Sequence, residues 1–242
     1  MKTVEENKYW NPILETLPRE KLIEIELKRF RETLQWAKEG SPFYRRKLHG
    51  IEPEDIRTLE DIAKVPITEK DELREAQEGK EIHLYGELLA VPPERLSVFH
   101  QTSGTTGKSV YIPDTYESWQ LVVEIWCSIL YAAGFRSTDR VFLPFTYNIY
   151  IAFWQGHYAA EKLGCEVVPG GGLDTKGRIQ KMKEVKATAL MNTPTYGLHM
   201  AEVAREMGID PRRDLNIKRM ISAGEPMPEP TRLRLEELWG AD

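Results

Sequence analysis

Residues 18–39 carry apolar side chains at a helical period. Leu27, Phe30, Leu34 and Ala37 fall on one stripe, with Glu, Lys and Arg elsewhere. The spacing predicts a long amphipathic helix, ended by Gly40 and kept from resuming by Pro42. The basic stretch Ser41 to Lys47 is followed by acidic residues at 52, 54 and 55, so it reads as a solvated helix rather than an anion patch. Short helical pieces are predicted at Leu59-Glu60-Asp61-Ile62 and from Thr68. There Thr68 is the expected N-cap, with Asp71 at N3 in a near capping box.

From residue 96 the pattern changes. Leu96 to His100 alternates as a strand does, and Val110-Tyr111-Ile112 reads as a second strand, ended by Pro113. A helix is predicted from Asp114–Glu117 to about Ala133. It is apolar most of the way round, through Trp119, Val122, Val123, Trp126, Ile129 and Leu130, and is expected to be buried. Strands at 140–144, 165–169, 187–191 and 217–221 then alternate with helices at 151–163, 174–185, 193–208 and 228–239. Thr193 is the expected cap of the third of these helices, with Pro194 at N1 and Gly208 beyond its end. Strand–helix alternation predicts an α/β fold: a largely parallel sheet with helices on both faces. Ligands of such sheets gather at the carboxyl ends of the strands. Asn192-Thr193-Pro194 and Ser222 to Pro226 are expected there. The composition shift near residue 95 divides a mainly helical region, 1–95, from the α/β body, 96–242.

Between the two strands of the opening hairpin lies Thr102-Ser103-Gly104-Thr105-Thr106-Gly107-Lys108. It holds four hydroxyls, two glycines and a lysine, and no apolar side chain. Glycines let a backbone approach a ligand closely, successive N–H groups form an anion nest, and a lysine supplies a point charge suited to phosphate. A nucleoside triphosphate is the natural guest. An ordinary turn is the competing reading for such a cluster, and the lysine directly after Gly107 weighs against it. The P-loop of kinases and GTPases is rejected. Gly104 to Gly107 is two residues too short for that motif, and a strand rather than a helix follows.

Composition narrows the function classes. The chain has 242 residues, 41% hydrophobic and 29% charged, with 33 basic against 38 acidic residues and a net charge of −5. That is an ordinary soluble balance without a nucleic-acid footprint. Cys127 and Cys165 lie far apart in apolar runs, which predicts two buried thiols in a reducing cytoplasm. Met1 to Glu6 lacks an apolar core, so no secretory signal is expected. No apolar run reaches membrane-spanning length, and Leu121 to Phe135 is broken by Glu124.

With these segments in order, the chain resembles the adenylate-forming ligases, and within them the phenylacetate–coenzyme A ligases. The glycine loop matches their phosphate-binding signature. Tyr9 to Pro12, Ser41 to Tyr44, Leu59 to Ile62, Pro66 to Arg74 and Leu88 to Pro92 look like that family. So do Thr193 to Tyr196, Ala201 to Ala204, Met207 to Pro211 and Gly224 to Pro226. The resemblance implies the N-terminal domain of an acyl-CoA synthetase-like enzyme, and two reactions. A carboxylate attacks the α-phosphate of ATP, giving an acyl-adenylate and pyrophosphate; the thiol of coenzyme A then displaces AMP. Positioning and charge neutralisation drive such chemistry more than a protein nucleophile does.

Carried over by position, Thr102, Ser103, Gly104, Thr105, Thr106, Gly107 and Lys108 hold the β- and γ-phosphates. Ala223, Gly224, Glu225 and Pro226 line the adenine. Tyr147, Asn148, Phe153 and His157 line the acyl pocket. The family has glycines where this chain has Asn148, Ala152 and Phe153, which implies a small or hydroxylated aromatic acid as substrate. Each site residue also has a plainer reading. Glu225 is equally a cap for the helix that Pro228 begins. His157, Tyr147, Tyr150, Phe153 and Trp154 also fit a core by periodicity, and His100 is better read as core.

The family continues for about as long again. A glutamate that places Mg²⁺ and a catalytic lysine are implied beyond residue 242, and no metal ligands are assigned within the chain. The chain is then a fragment, a shortened form or one half of a split enzyme that meets a second polypeptide. A sheet cut before its remaining strands exposes an edge, and a homodimer is expected. Two alternatives stay open: an adenylyltransferase similar to the coenzyme F390 synthetases, and a nucleotide-binding module without turnover.

Overall fold

The computed structural model of the protein describes residues 7–78, 83–102, 108–151 and 153–241. It forms two compact units. One is Asn11–Trp119; the other runs from Gln120 onward and includes the described residues up to Trp10. The composition change near residue 95 falls inside the first of these.

The first unit holds α1 (Pro12–Glu15), α2 (Arg19–Gly40), α3 (Pro42–Lys47), α4 (Lys70–Gln77), β1 (Leu96–Gln101) and β2 (Tyr111–Thr115). Short 3-10 turns lie at Pro53–Asp55, Glu60–Lys64 and Pro93–Arg95. Leu27 and Leu34 of α2 are buried with Leu48 and Ile56, and Phe30 and Ala37 pack against them. The amphipathic stripe thus does what its period requires. Ser41 ends α2 and caps α3, its Oγ accepting from Tyr44 N at 3.3 Å. The start of α4 lies one residue later than Thr68. Glu69 is the N-cap and its N–H donates to the Glu72 carboxylate at 2.7 Å. Glutamate at N3 reaches back to the cap where the shorter Asp71 side chain would not.

β1 and β2 pair antiparallel, with Gln101 opposite Tyr111 and Phe99 opposite Pro113. Pro113 therefore does not end the second strand, which continues to Thr115 before the next helix begins. In a two-stranded sheet each strand keeps an unpaired edge, where a residue without an N–H is tolerated. His100 is buried against Trp119, ring centroids 5.1 Å apart, in keeping with its core reading.

Helix α5 (Tyr116–Ala132) leads from the first unit into the second. There follow β3 (Arg140–Leu143), α6 (Trp154–Lys162), β4 (Glu166–Pro169), α7 (Thr175–Val185) and β5 (Ala189–Asn192). α8 (Pro194–Glu206), α9 (Pro211–Asp214), β6 (Arg219–Ser222) and α10 (Glu229–Trp239) complete it. The sheet order is β4-β3-β5-β6 and every pair is parallel. Phe142 and Leu190 face one side, in a core with Ile179 and Met182 of α7, Met200 of α8, and Leu235 and Trp239 of α10. Met191 faces the other side. A Cβ on Gly156 of α6 would stand 2.9 Å from its Sδ, so α6 packs closely on the sheet and a larger residue there would require the Met191 side chain to shift. The expected α/β architecture with helices on both faces is observed. Among the described residues, no helix is long and apolar enough to cross a membrane.

Two helices depart from expectation. α5 is not buried all round: Trp119, Val123, Cys127 and Leu130 are buried, but Leu121, Ile125 and Ile129 are 53%, 54% and 43% exposed. Among the described residues, one face of the helix meets a packed layer, and an i, i+4, i+8 stripe points away from it. α6 begins at Trp154 rather than Ile151, because Phe153 adopts a left-handed backbone (φ 63°) that no helix can include. Cys127 and Cys165 are free and buried, and burial raises both thiols to about 11.

At the amino ends of the strands, the buried Asp139 carboxylate joins three elements. It accepts from Thr188 Oγ1 at 2.8 Å, from Arg219 at 3.0 Å and from the Arg136 N–H at 2.8 Å. Asp139→Ala removes the acceptor that these three donors share. A loss of about 2–3 kcal/mol is expected, read as a lower midpoint in urea unfolding. An unchanged midpoint would show that the sheet does not depend on this carboxylate.

Candidate functional site

The glycine loop joins β1 to β2. Ser103, Gly104, Thr105, Thr106 and Gly107 lie outside the described residues, and the two ends of the loop are defined. Thr102 closes the hairpin: its N–H donates to Val110 O and its Oγ1 accepts from Val110 N, both at 3.0 Å. Lys108 is exposed, and its Nζ lies 3.0 Å from Glu78 Oε1. An exposed pair of this kind contributes little to stability and opens readily. Beside it α4 acts as a scaffold. Arg74 Nε donates to Lys108 O at 2.9 Å, and the Gln77 amide bonds both Tyr111 N and Tyr111 O, at 3.0 and 2.8 Å. Arg74, Gln77, Glu78, Gln101, Lys108, Ser109 and Tyr111 line an open cavity of about 630 Å³.

In the second unit the carboxyl ends of β5 and β6 bring two loops together. Asn192 pairs with Ser222 in register, and Ala223 N donates to Asn192 O at 3.0 Å. The Asn192 side chain is fully buried; its Nδ2 donates to Thr193 O at 2.7 Å and its Oδ1 accepts from Ser222 Oγ at 3.3 Å. Gly197 leaves room for it, since a Cβ there would meet Asn192 Nδ2 at 2.3 Å. Thr193 caps α8 through Oγ1, as its position predicts. Gly224 has φ 90° and turns the chain beside Thr193.

Glu225 caps a helix, but not the one that Pro228 begins. Its carboxylate accepts from Thr195 N at 3.3 Å and from Thr195 Oγ1 at 2.8 Å, at the start of α8. These Thr195 bonds, with a further one from Thr193, hold its pKa below the usual glutamate range. A negative charge at a helix N-terminus is favoured by the helix dipole as well. Ala223, Gly224, Glu225 and Pro226 thus form one turn pinned between two strand ends.

The aromatic segment after β3 is a stacked cluster. Phe145 and Phe153 stack at 3.8 Å, nearly parallel. Tyr147 packs against Trp154 at 4.5 Å and edge-on to His157 at 5.2 Å. Tyr147 Oη lies 2.7 Å from His157 Nδ1, and His157 Nε2 lies 3.1 Å from Glu161 Oε1. Burial, then the nearby Glu161 charge, pushes the Tyr147 phenol well above its ordinary pKa. Asn148 is exposed; its Oδ1 accepts from Tyr150 N at 2.8 Å and its backbone oxygen accepts from Trp154 Nε1 at 2.8 Å. What its side chain has left to offer is the amide N–H₂. Ala152 lies outside the described residues. Arg178 holds the next loop, donating to Gly170 O at 3.0 Å and to Tyr196 Oη at 2.6 Å.

Sequence reasoning missed Arg74, Gln77, Glu78, Arg178 and Glu161. The first four act across folded contacts that no local spacing announces. Glu161 had a signal, standing four residues after His157 on a predicted helix. Among the described residues, no group of three or more His, Cys, Asp or Glu side chains could hold a metal ion.

The second unit is a parallel α/β sheet with polar loops at the carboxyl ends of its strands, and the chain is similar to adenylate-forming CoA ligases. A 2-hydroxyisobutyryl-CoA ligase, solved in complex with 2-HIB-AMP and CoA, superposes with a TM-score of 0.91 at 31% identity, over 100% of this chain and 52% of that one. By sequence the chain is a relative of the phenylacetate–coenzyme A ligases and fits an N-terminal portion of them. The enzyme of Pseudomonas putida is 33% identical over 229 residues, which is 94% of this chain and 50% of that protein. That of Escherichia coli (strain K12) is 30% identical over 233 residues, 94% of this chain and 51% of the other. The chain therefore spans about half the length of the relatives it matches. No protein-family model matches it.

The Glu225 contact sets a pH dependence. Its folded pKa is depressed, so its hold on the start of α8 is complete above the ordinary glutamate value, about 4.3. That hold is lost as pH falls through the lowered one. Thr195→Val removes the hydroxyl donor, and the Glu225 pKa is expected to return toward its ordinary value in a carboxyl-detected NMR titration. An unmoved pKa would refute the assignment of Thr195 as the cause.

Proposed function

We propose that the chain is the ATP- and acid-binding N-terminal portion of an AMP-forming aryl-acid–coenzyme A ligase. One observation carries this reading: the whole chain superposes on a CoA ligase solved with an acyl-adenylate and CoA, at 31% identity. In the first reaction the acid's carboxylate oxygen bonds to the α-phosphorus of ATP and the bond to pyrophosphate breaks. In the second the CoA sulfur bonds to the acyl carbon, AMP leaves, and the thiol proton goes to solvent. Lys108 and the loop hydroxyls neutralise and orient the β- and γ-phosphates. The pinned turn Ala223 to Pro226 receives the adenine. Tyr147, Asn148, Phe153 and His157 wall the acid, with the Asn148 amide N–H₂ directed to a ring substituent.

Mg²⁺, the catalytic lysine and the glutamate that places the metal are assigned to sequence outside this chain, in a continuation or a second polypeptide. Residues 96–242 are the AMP-binding part on this reading and 1–95 its helical front. A cytoplasmic homodimer completes the proposal.

Two measurements test it. Lys108→Ala should weaken ATP binding about 10- to 100-fold, because a charge-assisted bond is worth about 1.5–3 kcal/mol and tenfold is about 1.4. Unchanged ATP affinity would remove Lys108 from the phosphate site. In a panel of acids assayed for AMP release with the complete enzyme, small or hydroxylated aryl acids should lead, and Asn148→Gly should reorder them. Medium-chain fatty acids ahead of every aryl acid would overturn the pocket.

A further inference from the structure

Tyr147, His157 and Glu161 form a hydrogen-bonded chain whose direction follows from the chemistry of its ends. The Glu161 carboxylate can only accept, so His157 Nε2 carries the proton across the 3.1 Å contact. In a neutral imidazole the other nitrogen is then bare. With the imidazole neutral, Nδ1 accepts and the Tyr147 hydroxyl is the donor across 2.7 Å. That consumes the only proton on the phenol oxygen. The lone pairs of the oxygen can still accept a hydrogen bond, but it has no proton left to give.

The ring geometry keeps this arrangement in place. Trp154 packs on Tyr147 at 4.5 Å, and His157 meets it edge-on at 88°. His157 is largely buried, its side chain 17% exposed, and Glu161 stands one helical turn further along α6. Burial and the nearby Glu161 charge favour the protonated phenol, as the direction requires.

We propose that Glu161, acting through His157, fixes the Tyr147 hydroxyl as a hydrogen-bond acceptor toward the acid. The site then favours carboxylic acids that bear a donor on the ring, a phenol hydroxyl or an amine. This deepens the acyl-pocket reading above and rests on it. Glu161 is a positioning residue: it touches His157, and His157 touches Tyr147.

Two experiments test it, one without any acid. In the protein labelled with ¹⁵N-histidine, His157 should show a protonated Nε2 and a bare Nδ1, and Glu161→Gln should shift it from that single tautomer. The opposite tautomer in the wild type overturns the proposal. In the second, calorimetry compares hydroxy-substituted phenylacetic and benzoic acids with their fluoro analogues, similar in size and without a donor. At least one hydroxy acid should bind about tenfold tighter than its fluoro partner, the scale of one hydrogen bond. The gap should close in both Tyr147→Phe and Glu161→Gln. If acids bind with no hydroxy preference, or the gap survives in Tyr147→Phe, the proposal is wrong and the acyl-pocket reading stands. If no aryl acid binds the wild type at all, both fall.

Discussion

Parallel strand pairing is the constraint from which the second unit follows. Two parallel neighbours cannot be joined by a tight turn, so each strand must be followed by a helix that crosses back over the sheet. The strands β3, β5 and β6 therefore end on the same side, and the chain leaves each through a loop. Register decides the rest. With Asn192 opposite Ser222, the two loops start level, close enough for Ala223 to bond Asn192 and for Glu225 to reach the first turn of α8. A shift of one residue would turn Asn192 to the opposite face and undo both contacts.

Buried polar groups hold the two ends of this sheet differently. At the amino ends Asp139 gathers donors from three elements, one of them the partly exposed Arg219. At the carboxyl ends Asn192 has no charge; it satisfies itself on Thr193 and Ser222. A neutral amide there leaves the strand-end loops without a fixed buried charge of their own. On the nucleotide-binding reading proposed above, that suits an anionic ligand, and the Glu225 carboxylate at that end is held by the start of α8.

Much of this was legible in the chain. Strand–helix alternation announced the α/β fold, and the Thr193-Pro194 pair announced the start of α8. What failed did so where tertiary contacts override local signals. The apolar surface of α5 suggested burial all round, yet burial needs a second layer, and Leu121, Ile125 and Ile129 have none among the described residues. Pro113 read as a stop, which holds inside a sheet and not at the edge of a two-stranded one. Phe153 gave no hint that it would refuse the helix. At the site, the motifs located the loops but not their supports: Gln77 grips Tyr111 from 34 residues away, and no spacing reveals that.

The left-handed backbone at Phe153 gives this position an unusual relation between size and stability. Large-to-small changes in an aromatic cluster ordinarily cost stability, because packing is lost. Here the residue being shortened also holds a backbone conformation that disfavours any side chain, by about 1–2 kcal/mol. Glycine would give up the stack on Phe145 but shed that strain. Widening the aromatic wall and relaxing the main chain therefore run in the same direction. On the acyl-pocket reading proposed above, a change to glycine at residue 153 would admit a bulkier acid at a packing cost that the released strain partly offsets.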